Sequence, residues 1–198
     1  MVAATHPRQF PAPGPPEIAF LGRSNVGKSS VINSLLGSKL AKTSSTPGRT
    51  RTINFFELRW PGKPRPELVF TDLPGYGYAK VPKEISAEWS SFIEPYLKER
   101  PNLALSVVLI DVNIPPQPID EQLCHFLRTI GRPYLTVATK ADRLSGNQLT
   151  QSMERLNATL QPDRMLVFSA RTGQGKAELW HEVRAAAAEL AGEINQPL

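Results

Sequence analysis

Cysteine is almost missing from this sequence. Its 198 residues include one, Cys124, so an internal disulfide and the stapled, secreted class of small domain are excluded. No apolar run reaches 18 residues, the length that a membrane-crossing helix needs. The opening MVAATHPRQFPAPGPP has no apolar stretch to serve as a signal peptide. The expected location is therefore the cytoplasm. Only three histidines occur, His6, His125 and His181, and their scatter gives no metal-ligand spacing. With 40% hydrophobic residues, wholesale disorder and a fibrous architecture are also excluded. A globule of this length buries about 70% of its unfolded surface, enough for one core without a disulfide or structural metal.

Proline, by contrast, is plentiful: 19 residues, about twice the usual share. Five fall within residues 7–16, three within 61–66 and three within 115–118. These clusters predict a flexible N-terminal arm over 1–16 and two stiff loops. Charge is uneven as well. The net charge is +5, but residues 37–65 hold seven basic side chains (Lys39, Lys42, Arg49, Arg51, Arg59, Lys63, Arg65) against Glu57. A basic stripe of this kind suits a polyanionic partner or, equally, a solvated face.

The chain after the arm alternates short apolar runs with amphipathic stretches. EIAFLG (17–22) reads as a buried strand, and Val31, Ile32, Leu35 and Leu36 give the following segment a helical period that Gly37 ends. Residues 38–50 are aperiodic and rich in Ser and Thr, as a long mobile loop would be. RTINFFELRW and ELVFTDL predict two strands joined through PGKPRP. A helix is expected beyond Pro82, with Pro95 kinking or limiting it. Strands at 103–112, 133–140 and 164–170 alternate with helices, including those at 146–160 and 175–191. That alternation predicts an α/β fold: three layers, a mostly parallel six-stranded sheet with helices on both faces. The folded domain is expected over 17–192, with 193–198 as a tail.

GRSNVGKS (22–29) fits G-x-x-x-x-G-K-[ST] between a strand and a helix, the context this motif requires. Gly22 and Gly27 let the backbone curl so that N–H groups and a helix N-terminus face phosphate oxygens. Lys28 brings a point charge to the outer phosphates, and the Ser29 hydroxyl suits Mg²⁺. DLPG (72–75) ends an apolar strand, which puts Asp72 near that Mg²⁺ and the Gly75 N–H near a terminal phosphate. TKAD (139–142) follows another strand. The Asp142 carboxylate can accept from the N1–H and N2 amino edge of guanine, which adenine lacks, so GTP is favoured over ATP. SAR (169–171) follows the last strand, where the Ala170 N–H can meet guanine O6.

These four ordered elements resemble those of translation-factor-type GTPases. With AKTSSTPGRTRTINFF and DLPGYGYAKVPKE, the chain more closely resembles the bacterial EngB-type GTPases of the TrmE-Era-EngA-EngB-Septin-like group, over about 17–190. The resemblance implies that GTP is bound by Gly22, Arg23, Ser24, Asn25, Val26, Gly27, Lys28 and Ser29 of the phosphate loop. It adds Gly48, Arg49, Thr50, Arg51 and Thr52 around the switch threonine, and Asp72, Leu73, Pro74 and Gly75. Thr139, Lys140, Ala141 and Asp142, followed by Ser169, Ala170 and Arg171, complete the base end. Mg²⁺ is then held by Ser29 and Thr50, with Asp72 acting through water; Thr46 is the rival to Thr50. Lys28, Thr50, Gly75 and Asn25 are the catalytic candidates. Asn25 stands where some similar GTPases coordinate K⁺; the other reading is an asparagine that only bonds the loop backbone. The implied role is slow, Mg²⁺-dependent GTP hydrolysis by a monomer that assists assembly of the large ribosomal subunit or its precursor, with a need in normal cell division. A GTP-regulated RNA- or protein-binding module with negligible hydrolysis is the other reading.

Two departures bear on mechanism. Tyr76 follows DLPG, where Ras-like enzymes place a water-orienting glutamine, so slow intrinsic hydrolysis is expected. Thr139 replaces a frequent asparagine, so a weaker tether between loops is expected. Cys124, Trp89 and Trp180 read as packing residues. Trp60, in RWPGKPR, either stacks on RNA or caps a hairpin.

Overall fold

The computed structural model describes residues 1–41, 52–76 and 83–194. Among these residues, seven strands form one sheet: β1 (Val2–Ala4), β2 (Glu17–Gly22), β3 (Ile53–Leu58), β4 (Leu68–Asp72), β5 (Leu103–Asp111), β6 (Tyr134–Thr139) and β7 (Met165–Val167), in the order β1-β3-β4-β2-β5-β6-β7. The pairs from β4 through β2, β5 and β6 to β7 are parallel, whereas β1–β3 and β3–β4 are antiparallel. Among the described residues, five α-helices accompany the sheet: α1 (Lys28–Leu36), α2 (Lys83–Glu99), α3 (Pro118–Thr129), α4 (Gly146–Leu160) and α5 (Lys176–Ile194). Among the described residues, no helix is long and apolar enough to cross a membrane.

Strand alternation explains the layers. Ala19 and Leu21 of β2 face a core shared with Phe92, Ile93, Tyr96 and Leu97 of α2, Leu123 and Leu127 of α3, and Leu156 and Leu160 of α4. Ile18 and Phe20 face the opposite core, with Val31, Ile32 and Leu35 of α1 and Leu179 and Val183 of α5. Each such fully buried aliphatic side chain is worth about 1.5–3 kcal/mol relative to exposure. Parallel strands covered on both faces read as continuous apolar runs, which is why β2 and β5 stood out in the sequence.

Three expectations are corrected. The sheet has seven strands rather than six because part of the 1–16 segment, expected as a flexible arm, joins it. Val2, Ala3 and Ala4 pair with Phe55, Asn54 and Ile53, and Ala4 is fully buried. The Phe10 ring packs against Phe55, Phe92 and Tyr96 at 5.4–5.8 Å. Prolines cannot donate from the backbone, but the Pro11 and Pro15 carbonyls accept from Arg100 and Asn102. Second, of the two outcomes expected at Pro95 the limit is not seen, since α2 continues to Glu99. The burial of Phe92, Ile93, Tyr96 and Leu97 offsets a helix-interior proline penalty of about 3 kcal/mol. Third, α5 runs through Ile194, so residues 193 and 194 belong to a helix rather than a tail. The side chain of Trp89 lies outside the described residues.

Candidate nucleotide-binding site

The phosphate loop runs from the end of β2 to the start of α1. Gly27, the N-cap of α1, has φ 101° and ψ 16°, a left-handed conformation that favours glycine. No side chain caps this helix, so its first N–H groups are open to an anion at the positive end of the helix dipole. Val26 and Leu73 are buried in the two cores, so their side chains anchor the phosphate loop and the end of β4.

β4 delivers DLPG beside this loop. Lys28 and Asp72 form an ion pair whose side chains are 12% and 7% exposed, so the phosphate lysine and the expected metal carboxylate share one corner. Beyond β4 the strand pairing extends through an Arg23–Tyr76 bridge: Ser24 N donates to Tyr76 O at 3.2 Å, and Tyr76 N to Gly22 O at 3.3 Å. Gly75 is pressed against the loop so closely that a Cβ there would meet Ser24 Oγ at 2.9 Å and Ser24 N at 3.1 Å. Pro74 is half-buried next to it.

The Tyr76 side chain turns away from this corner. Its hydroxyl donates to Asp120 Oδ1 of α3 at 3.1 Å, and only 7% of the residue is exposed. Burial, reinforced by the Asp120 charge, pushes the phenol pKa well above its ordinary value. Burial likewise raises the Asp120 carboxyl, although the phenol hydrogen bond and the nearby Arg23 charge partly offset it.

The base end is built by the carboxyl edges of β6 and β7. Thr139 Oγ1 lies 2.7 Å from Val26 O and 3.1 Å from Ile110 O. The tether expected to be weakened is therefore made by the threonine hydroxyl, fully buried between strand and phosphate loop. Lys140 Nζ donates to Asn25 O at 2.6 Å, and both residues are left-handed non-glycines, at φ 59° and 65°. Ala141 is buried and donates from its N–H to Phe168 O, fixing the turn that carries Asp142. Asp142 Oδ1 accepts from Ser169 Oγ at 2.6 Å, and Oδ2 lies 3.9 Å from the exposed Arg171 guanidinium. A cavity of about 1110 Å³ joins these groups, lined by Gly27, Ser30, Asn33, Thr139, Asp142 and Ala170 among others.

The structure thus brings together Gly22 to Ser29, Asp72 to Gly75, Thr139 to Asp142 and Ser169 to Arg171. Thr52 is half-buried just before β3. Lys42, Thr46, Gly48, Arg49, Thr50 and Arg51 lie outside the described residues, so the choice between Thr46 and Thr50 is not addressed by the geometry. Asn25 has an exposed side chain without a hydrogen bond among the described residues. Sequence reasoning missed Asn33, whose amide clasps Ala41 in both directions at 2.8 Å, and it missed Asp111, Asn113 and Asp120. Asp111 ends a buried strand at the sheet's carboxyl edge, where ligands of open α/β sheets bind, and that position was a usable signal. Cys124 is buried, and desolvation raises its thiol to about 11, which suits packing rather than nucleophilic chemistry. Trp60 stacks edge-on with Trp180 at 6.5 Å, favouring the capped hairpin over an RNA-stacking ring.

Comparison with known proteins agrees with this geometry. The family described as 50S ribosome-binding GTPase matches residues 17–140. A probable GTP-binding protein EngB of Koribacter versatilis is 60% identical over 187 residues, covering 94% of this chain and 92% of its own. Another, from Acidobacterium capsulatum, is 60% identical and covers 99% and 93%. Among solved structures, a probable GTP-binding protein engB superposes with a TM-score of 0.69 at 24% identity, covering 87% of this chain and 99% of that one. Era in complex with MgGDPNP and part of 16S ribosomal RNA gives 0.69 at 23% identity, covering 86% of this chain and 56% of that one; at these identities the structures speak for the fold. A phosphate loop opening a helix, a carboxylate poised at the base end and full-length relatives at 60% identity lead to one assignment: the chain belongs to the EngB family of P-loop GTPases.

Proposed function

We propose that the chain is a GTP-driven switch that assists assembly of the large ribosomal subunit, acting as a cytoplasmic monomer and needed for normal cell division. The observation that carries the switch reading is the zipper between DLPG and the phosphate loop. With Gly75 against Ser24 and the Arg23–Tyr76 bridge beside it, a change at the terminal phosphate must displace this backbone as a unit. The ribosomal part rests on the description of the matching family and on the basic stripe.

The residues suit Mg²⁺. Ser29 and Asp72 offer a hydroxyl and a carboxylate, an oxygen-only set that leaves room for waters and phosphate oxygens, and Thr50 adds a hydroxyl by the family resemblance. When bound, the ion neutralises charge on the β- and γ-phosphate oxygens. Lys28 leaves Asp72 for those oxygens, the open N–H groups of α1 hold the β-phosphate, and Gly75 N–H reads the γ-phosphate. Asp142, held by Ser169, takes the guanine edge. Asn25, with its side chain exposed beside the phosphates, is the candidate K⁺ ligand.

Hydrolysis is slow in this reading because the Tyr76 phenol is committed to Asp120 and cannot orient water. The same observation favours a second reading, in which the chain binds RNA or protein under GTP control with negligible turnover of its own. Co-sedimentation with large ribosomal subunits in GDP and in a non-hydrolysable GTP analogue tests the switch, with stronger association expected in the analogue. Equal sedimentation in both nucleotides would refute it. GTP turnover measured with and without subunits separates the two readings.

A further inference from the structure

The carboxyl end of β5 contains a bracket that the nucleotide-contacting residues do not account for. Asp111 Oδ2 accepts from Lys140 Nζ at 2.6 Å, while its Oδ1 accepts from the Asn113 backbone N–H at 3.0 Å and side-chain amide at 2.8 Å. The same Asn113 amide donates to the Lys140 carbonyl at 3.2 Å. Lys140 is therefore held at both ends, side chain and backbone. The Lys140–Asp111 pair is mostly shielded, at 21% and 13% exposure, so it escapes most of the screening that makes surface pairs weak. Burial alone would raise the Asp111 carboxyl, but the Lys140 and Asn113 hydrogen bonds and the Lys140 charge outweigh it and hold its pKa below the ordinary value.

The held residue is a strained one. Lys140 sits at φ 59° immediately before the turn that carries Asp142, a conformation that non-glycine residues adopt at a cost and keep only when surroundings enforce it. Its ammonium reaches Asn25 O at 2.6 Å, so one side chain joins the base loop to the phosphate loop.

We propose that Asp111 and Asn113 are positioning residues for guanine-nucleotide binding, acting through Lys140 by fixing its ammonium between the two loops and its backbone in the turn that aims Asp142. This rests on the reading of the Asp142 loop as the guanine site. Neither residue lines the cavity at the base end. Their effect falls on how long the nucleotide stays, not on which base is chosen, because the Asp142 carboxylate keeps its Ser169 support.

The test is the release rate of fluorescent GDP and of a fluorescent non-hydrolysable GTP analogue from the full chain. Asp111→Asn keeps the shape and removes the charge; release of both nucleotides accelerates about tenfold, equal to about 1.4 kcal/mol, with the GTP-to-ITP affinity ratio unchanged. Asn113→Ala gives a smaller acceleration of about threefold. In a Lys140→Met background, Asp111→Asn adds nothing, since residues acting through one partner are non-additive. A merely structural role would lower the melting temperature without speeding release from the folded protein. Wild-type release from folded Asp111→Asn, or equal acceleration in the Lys140→Met background, overturns the proposal; if Asp111→Asn does not fold, release from Asn113→Ala decides it alone. Failure of the guanine reading itself shows separately, as an Asp142→Asn protein that keeps the wild-type preference for GTP over XTP.

Discussion

Tyr76 shows how one side chain can be misjudged from its position in a motif. In sequence it stands where Ras-like enzymes place a water-orienting glutamine, a position that says nothing of packing. In the structure the ring is a buried strut between DLPG and α3. Tyr76→Ala is therefore expected to cost about 3–5 kcal/mol, the range for emptying a buried aromatic site, and chemical denaturation would reveal it. Asp120 gives this strut a pH signature. Its folded pKa is raised above the unfolded value, so the stabilising, protonated form is fully present below the ordinary carboxylate range and is lost as pH rises through the raised value. Asp120→Asn removes that dependence and keeps an acceptor for the phenol. Its melting temperature should exceed that of the wild type at pH 7 and converge with it below the ordinary Asp value of about 3.9; a lower value at pH 7 would mean that the charge itself stabilises the junction. Asp142 differs, because its expected role at the guanine edge is read from TKAD alone and the structure adds its support by Ser169. Asp142→Asn should shift preference from GTP to XTP, since an amide donates to the keto oxygen that replaces the guanine amino group, and competition binding with both nucleotides checks it.

The same contrast holds among elements. β2, α1 and β5 were legible because continuous apolar runs and a helical period survive in the sequence, and the phosphate loop falls where a strand meets a helix. β1 was not legible. Three residues ahead of a proline cluster have no period to read, and their pairing depends on β3, some 50 positions later. What fixes that segment is side-chain chemistry at a distance: Arg100 donates to Glu17 at 2.5 and 3.0 Å and to Pro11 O at 2.8 Å, with Tyr96 completing the Glu17 carboxylate at 2.9 Å. Glu17 and Arg100 are almost wholly buried, so Glu17→Ala strands a buried guanidinium and should cost about 3–5 kcal/mol. Phe10 is only half-buried, so Phe10→Ala should cost less, about 2 kcal/mol against the 3–5 of a fully buried ring. Urea titrations of the two variants test the order. An equal or larger loss for Phe10→Ala would show that the aromatic contacts, not the ion pair, anchor the segment.

At the scale of the whole molecule, the nucleotide site and the basic hairpin lie at opposite ends of β4, whose Leu68–Asp72 span separates Asp72 from the start of the hairpin turn by about 13 Å at roughly 3.3 Å per residue. The tip carries exposed Arg59 and Arg65, while Lys63 is partly neutralised by Glu67 at 3.2 Å. Packing of Trp60 on Trp180 sets the tip beside α5, where Arg184 lies over the Trp180 ring at 5.6 Å. Arg184 and the hairpin arginines thus lie on a helix and a hairpin that pack together through their tryptophans, a candidate basic patch that sequence distance concealed. If this patch meets ribosomal RNA, each phosphate it neutralises releases counterions, and the logarithm of affinity falls with the logarithm of salt by roughly 0.7–0.9 per contact. Arg59→Ala combined with Arg65→Ala should then lower that slope by about one to two units, and Arg184→Ala by about one. GTP affinity should not change in any of them, because β4 lies between the tip and the phosphate loop. Sedimentation with large subunits across a salt series measures the slope directly. Wild-type slopes in both variants would remove the hairpin face from the interface and leave the basic residues of the 42–51 segment as the remaining candidates for contact.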